Sequence, residues 1–289
     1  MKDCCFIFDS AADKNVKNYP DTHIIPLTVI ENTKPYRDGI EINVDTIEKK
    51  QNQGVNFTTS SSNLNDVAQL YQKLSREYKT VYVFPMPAKL SGQVNVLTLA
   101  ADGFDNVKVF PQYMLTIMCE WFLQDLISLK KNSKLNDNSI NNLINHYRDH
   151  CGAALIVPDL THLVNGGRIN KTKGLIAKLL HIIPFNSFDR EGVTNRANTK
   201  KISEFPKLCD EYFRKIITNF DYKNIERSGI LMSKNYSDKF KINDIDKVIL
   251  DNVASKIPKG IKIQRSILSS VIVAHTGPNY YAFILLTKK

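Results

Sequence analysis

The feature that most constrains this chain is a change in hydrophobic rhythm between its two halves. In the first half, short apolar runs of β type alternate with longer stretches whose apolar residues recur at helical spacing. Cys4–Phe8, His23–Ile30, Thr80–Phe84 and Val107–Phe110 read as strands. Asn63–Tyr78 carries Leu64, Val67, Leu70, Tyr71 and Leu74 on one helical face, Gln93–Ala101 is helical, and Tyr113–Leu129 is set by Leu115, Met118, Phe122, Leu126 and Leu129. Strands alternating with helices predict a parallel sheet of the Rossmann-like kind. The second half reads differently. A strand at Ala153–Val157 leads to a Gly166-Gly167 turn and an apolar helix at Lys173–Leu180. A hairpin over Ile182–Phe188 and Gly192 precedes an amphipathic helix at Lys200–Phe220. Strands at Ser228–Ser233, Ile261–Arg265, Ser270–His275 and Tyr281–Thr287, with a helix at Asp244–Ser255, complete the pattern. The predicted class is therefore α/β with two domains: an N-terminal parallel α/β domain over residues 1–152 and a C-terminal α+β domain over 153–289 with a mostly antiparallel sheet.

A chain of 289 residues is long enough for two ordinary domains and buries enough surface to need no disulfide staples. Its apolar runs stop well short of a membrane span, and no secretory leader is apparent, so a cytoplasmic protein is expected. The five cysteines contain no Cys-x-x-Cys pair and read as buried reduced thiols. Charge is divided unevenly. Residues 1–150 hold 16 basic and 17 acidic side chains, whereas residues 151–289 hold 23 and 12. A basic half can face nucleic acid, an anionic membrane, a phosphorylated ligand or an acidic partner. Nucleic-acid recognition also needs interleaved aromatics or a recognition helix, and neither is present. No nucleic acid is expected, and at most transient membrane contact.

Small polar loops follow the strands: Asp9-Ser10, Thr58-Thr59-Ser60-Ser61-Ser62, Pro87-Ala88-Lys89-Leu90-Ser91-Gly92 and His275-Thr276-Gly277-Pro278. In a parallel α/β sheet, ligands bind beyond the carboxyl ends of the strands. Ser61 or Ser62 reads as the cap of the following helix, but capping does not require five consecutive hydroxyls. Hydroxyls without paired carboxylates suit holding an anion through neutral hydrogen bonds. The alternative is a serine-dependent lipid or ester hydrolase in which a loop serine uses His275 as base and Asp9 orients it, but no Gly-x-Ser-x-Gly elbow accompanies them. His146 and His150 have helical metal-ligand spacing yet lack the Glu of a zincin motif. His23, His162 and His181 read as core or edge histidines. Gly166-Gly167-Arg168 reads as a tight turn beside a guanidinium suited to phosphate.

In this order, these pieces resemble the DegV family of bacterial fatty-acid-binding proteins. Phe6-Ile7-Phe8-Asp9-Ser10 is similar to the family's Asp-Ser strand end, and Thr59-Ser60 to its Thr-Ser-Gln-Pro-Ser loop. Leu90-Ser91-Gly92 resembles its Leu-Ser-Gly-Thr loop. Asp159-Leu160, Leu163, Gly166-Gly167-Arg168-Ile169 and His275-Thr276-Gly277-Pro278 complete the match. The resemblance implies a non-enzymatic carrier with its lipid site between two domains, needing no cofactor or metal. A long-chain fatty acid would lie in an apolar tunnel, for which Leu115–Leu129 and Leu175–Leu180 are the candidate linings. Thr59 and Ser91 would donate to the carboxylate, His275 and Thr276 would support them, and Ser60 and Gly92 would shape the loops. The carrier would present its ligand to a separate fatty acid kinase subunit for phosphorylation, in phospholipid metabolism, with Arg168 meeting phosphate or the kinase. The departures are Ser61-Ser62 in place of Gln-Pro, Gln93 in place of Thr, and Met118 and Glu120 at a helix start where the family has small residues.

Overall fold

The computed structural model describes residues 1–169, 182–236 and 240–288. The expected helix Lys173–Leu180, the lining at Leu175–Leu180 and His181 lie outside the described residues. The chain resolves into two compact units. The first comprises Met1–Val44, Phe57–Asn145 and Ser269–Ile272; the second comprises Asp45–Asn56, His146–Leu268 and Val273–Lys289.

The first unit is built on a parallel sheet of β1 (Lys2–Asp9), β2 (Thr22–Ile25), β6 (Tyr78–Phe84) and β7 (Val107–Val109), in the order β2-β1-β6-β7. Alternation sends successive side chains to opposite faces. Cys5, Ile7, Val81 and Val83 pack with Val67, Tyr71 and Leu74 of α2 (Leu64–Glu77) and Leu97 and Ala100 of α3 (Gln93–Ala100). The alternate residues are aromatic: Phe6 stacks on Tyr82 at 6.1 Å, and Phe84 meets Phe8 at 5.2 Å and Phe122 of α4 (Ile117–Lys131) at 5.1 Å. A second, antiparallel sheet contains β3 (Thr28–Glu31), β4 (Lys34–Arg37) and β5 (Phe57–Ser60), in the order β4-β3-β5. The expected continuous strand His23–Ile30 is thus two strands in two sheets. They divide at Pro26, whose ring nitrogen cannot join a ladder. The helix α5 (Asp137–His150) carries the chain from the first unit to the second.

The second unit contains a six-stranded sheet in the order β10-β9-β8-β13-β11-β12. Its strands are β8 (Cys151–Ile156), β9 (Ile183–Asp189), β10 (Gly192–Thr199), β11 (Ile225–Met232), β12 (Ile263–Ser266) and β13 (Tyr281–Thr287). All pairings are antiparallel except β11 with β12. One face packs Ile156, Phe185, Ile230, Tyr281 and Phe283 against Phe205, Tyr212 and Phe213 of α7 (Phe205–Ile216) and Ile245 and Ile249 of α8 (Ile242–Asn252). The helix α1 (Val44–Asn52) is fastened to this unit by polar bonds. Gln51 Nε2 donates to the carbonyl of Val273 at 3.1 Å, and Glu48 accepts from Asn235 N and Nδ2 at 3.1 and 2.9 Å. Ser270–His275, expected as a strand, lies in the helix α9 (Ser270–Thr276). Its Val271-Ile272-Val273 run favours strand, but propensity is a weak prior that local contacts override. Asp38 accepts from Val271 N at 3.3 Å at the start of the helix, and the Gln51 amide takes up carbonyls near its end.

All five cysteines are unbridged and buried. Among the described residues, no helix is long and apolar enough to cross a membrane. In β8, Gly152 has little space: a Cβ there would lie 2.8 Å from Tyr212 Oη, which donates to the carbonyl of Phe188 at 3.1 Å. Gly152→Ala should therefore lower stability by about 1–3 kcal/mol through overpacking, read as a fall in thermal midpoint. An unchanged midpoint would show that Tyr212 yields freely.

Candidate functional site

Each unit presents its own set of the sequence-selected residues. In the first, β1 ends in Asp9, a buried carboxylate whose oxygens accept from Ala11 N at 3.1 Å and Met86 N at 2.6 Å. Burial pushes its pKa up to about 7, against the pull of those two bonds. Asp9 thereby ties the loop after β1 to the end of β6. Ser10 Oγ accepts from Leu27 N at 3.0 Å and bonds to Asp38. Asp38 also takes bonds from Ser270 and from the N–H groups of Val271 and Gly39, while burial pushes its pKa up to about 6. Sequence reasoning missed Asp38. The available signal was the Asp38-Gly39 turn dipeptide, where Gly39 adopts a positive φ of 72°.

The five-hydroxyl stretch is part strand, not wholly loop. Thr59 lies in β5 opposite Val29, half-buried, with Ser60 exposed beside it. Ser62 is buried and donates from Oγ to the carbonyl of Pro26 at 2.8 Å. The helix cap is Asn63, whose Oδ1 accepts from Asn65 N at 2.9 Å and Asp66 N at 3.2 Å, so neither Ser61 nor Ser62 has that task. Asn63 is itself among the best capping residues, and its position immediately before the apolar period was the readable signal.

In the next loop, half-buried Ser91 accepts from Gln93 N at 3.2 Å through Oγ. This consumes a lone pair and leaves the hydroxyl proton to be aimed elsewhere. Gly92 starts α3 with an ordinary φ of −73°, and a Cβ on it would only touch Ser61 Oγ at 4.0 Å. Gln93, wholly buried, joins the two hydroxyl loops through bonds to Ser62. At the helix start where the sequence carries larger residues, Met118 is buried in α4, and Glu120 accepts from Tyr19 Oη at 3.0 Å.

In the second unit, the structure brings together two motifs far apart in sequence. The short helix α6 (Thr161–Asn165) ends in Gly166, and a Cβ on Gly166 would lie 2.2 Å from His275 Nδ1. Reciprocally, Gly277 follows α9 at a φ of 81°, and a Cβ there would lie 2.7 Å from His162 Cδ2. Two glycines therefore admit two imidazoles, which explains Gly166 and Gly277 by space as well as by backbone. His275 and Thr276 sit at the end of a helix rather than in the expected strand-end loop. Burial, then the charges of Arg168 and His162, hold the His275 pKa down to about 4. At neutral pH it is a neutral imidazole, able to donate one hydrogen bond. Arg168 is half-buried, donates to the carbonyl of Gly166 and has its own pKa lowered by burial. Thr276 is buried, with Oγ1 3.4 Å from the carbonyl of Gly277.

His23, His146 and His150 make ring or hydroxyl contacts. His146 and His150 stack at 4.8 Å, with His150 Nδ1 3.2 Å from Thr287 Oγ1. Among the described residues, no group of three or more His, Cys, Asp or Glu could hold a metal ion. His23 packs edge-on to Tyr78 at 6.3 Å.

The His275 geometry sets a pH dependence. A histidine whose folded pKa lies below its unfolded value near 6.5 contributes stability above that value and loses it as pH falls toward about 4. The loss should reach about 3 kcal/mol. The raised pKa values of Asp9 and Asp38 act in the opposite direction, so the slope is isolated by comparing wild type with His275→Gln. NMR titration should show the His275 ring uncharged at pH 6, and Gly166→Ala, which unseats the ring, should return its pKa toward 6.5. An ordinary titration midpoint in the wild type would contradict this seating.

Comparison with known proteins places the chain as a whole. A DegV domain-containing protein of Mycoplasma genitalium is 29% identical over 300 residues, covering 99% of both chains. One from Staphylococcus aureus is 24% identical, covering 98% of both. The structure described as showing fatty acid binding of a DegV family protein from Thermus thermophilus matches at a TM-score of 0.83 and 23% identity, over 100% of both chains. That of DegV from Bacillus subtilis, described as a fatty acid binding protein, matches at 0.77 and 22% over the same full coverage. At such identities the likeness establishes the shared two-domain fold. The sequence model of the family matches residues 6–288, and the chain belongs to the DegV family.

Proposed function

We propose that this protein is a carrier that binds a long-chain fatty acid and presents it to a separate kinase subunit, without catalysing a reaction itself. The observation that carries the reading is the full-length likeness of its fold to proteins described as binding fatty acids, among them a stearic acid-binding protein from Eubacterium ventriosum. Thr59 and Ser91 are the proposed carboxylate donors, with His275 and Thr276 as further donors and Ser60 and Gly92 shaping their loops. The chemistry favours these residue types. Each buried CH₂ of an acyl chain is worth about 0.8 kcal/mol, so a dry slot gives the affinity. The headgroup then needs hydrogen bonds, since an unpaired charge in such a slot is costly. Hydroxyls and a neutral imidazole supply them without a strong ion pair, and the carboxylate keeps its nucleophilicity. A kinase would transfer the γ-phosphoryl group of ATP to that carboxylate, giving an acyl phosphate and ADP. Arg168 is the proposed contact for phosphate or for the kinase.

Native mass spectrometry of the purified full chain should show a fatty acid at one equivalent, and delipidated protein should take up oleate. Thr59→Ala or Ser91→Ala should weaken oleate binding about 10- to 100-fold, the loss of a hydrogen bond to a charged group, with the thermal midpoint little changed. Arg168→Ala should bind oleate normally and slow acyl phosphate formation by a fatty acid kinase subunit with ATP. Absence of co-purified lipid together with absence of oleate uptake would refute the reading.

A further inference from the structure

Between the two hydroxyl loops of the first unit lies a polar pairing that neither loop requires for its own turn. Gln93, 0% exposed, directs both ends of its carboxamide at one residue. Oε1 accepts from Ser62 N at 2.9 Å, and Nε2 donates to Ser62 Oγ at 2.8 Å. Ser62 Oγ donates in turn to the carbonyl of Pro26 at 2.8 Å, in the segment between β2 and β3. On the other side, the backbone N–H of Gln93 is held by Ser91 Oγ at 3.2 Å. A continuous run of bonds thus leads from Ser91 through Gln93 to Ser62, three residues beyond Thr59. A bidentate contact fixes orientation as well as distance, and a buried amide that loses its partner retains a desolvation cost. The two loops therefore keep one spacing.

The residue types on the two loops match each other. Where this chain has Ser61-Ser62 and Gln93, the loops it resembles have Gln-Pro and Thr. Proline has no N–H, so the bond from the residue 62 backbone depends on Ser62, and Gln93 brings the acceptor for it.

We propose that Gln93, through Ser62, is a positioning residue that sets the spacing of the Thr59 and Ser91 hydroxyls and so determines how well this protein holds a carboxylate headgroup. The inference rests on the functional reading above and deepens it. Gln93 acts through the donors, so its removal should be felt by a ligand with a carboxylate and hardly at all by one without.

The test measures oleate and oleyl alcohol binding to the delipidated full chain. Gln93→Met keeps the side-chain length and removes both amide bonds; Ser62→Ala removes the hydroxyl alone and serves if the first variant folds poorly. Each should weaken oleate binding about tenfold and change oleyl alcohol binding less than about twofold. The double variant should be no weaker than the worse single one. Ser61→Gln with Ser62→Pro, combined with Gln93→Thr, should restore oleate binding. Hydrogen exchange at the Ser62 amide should be slow in the wild type and fast in Gln93→Met, a readout independent of lipid. Oleate binding by Gln93→Met equal to wild type, or equal losses for both ligands, would overturn the positioning role alone. Failure of the wild type to bind oleate would overturn the functional reading and this inference with it.

Discussion

Burying a polar group favours pairing it, and several buried side chains of this protein pair with the backbone of neighbouring loops. Asp9 holds the backbone at Ala11 and Met86, and Asp38 takes two backbone amides and two serine hydroxyls. Gln51 donates to carbonyls of α9, and Gln93 grips Ser62. None of these side chains needs an opposite charge to be buried, because backbone dipoles do that work. These bonds join the loops without using lysine or arginine.

The same economy governs the second unit, by steric rather than polar means. Gly166 and Gly277 each leave the space of one missing Cβ, and His275 and His162 occupy those spaces. Packing this close removes water from His275 and keeps it uncharged at neutral pH. A neutral imidazole beside a half-buried arginine can donate a hydrogen bond without adding a second positive charge.

Much of the fold was legible in the residues. Short apolar runs marked β1, β6 and β13, which are buried on both faces, and the 3.6-residue spacing of Val67, Tyr71 and Leu74 marked α2, which buries one. For the strand expected at Ser270–His275, the deciding partners were distant in sequence. Val271-Ile272-Val273 is β-branched and reads as strand, yet Asp38 and Gln51, more than two hundred residues earlier, hold its ends as a helix. The second sheet of the first unit went unread because β4 and β5 are four-residue, polar-rich strands. Asp38 went unread because its partners Ser270 and Val271 lie more than two hundred residues away.

The sequence by itself determined the element types over most of the chain, the α/β rhythm of its first half and the loops that carry hydroxyls and imidazoles. Hydrophobic period and turn chemistry are local properties and can be read locally. Only the tertiary structure decided that Gln93 faces Ser62, that Gly166 makes room for His275 and that α1 fastens to the second unit. Those pairings depend on which backbone groups would otherwise be buried without partners, and such a debt exists only once the chain has folded.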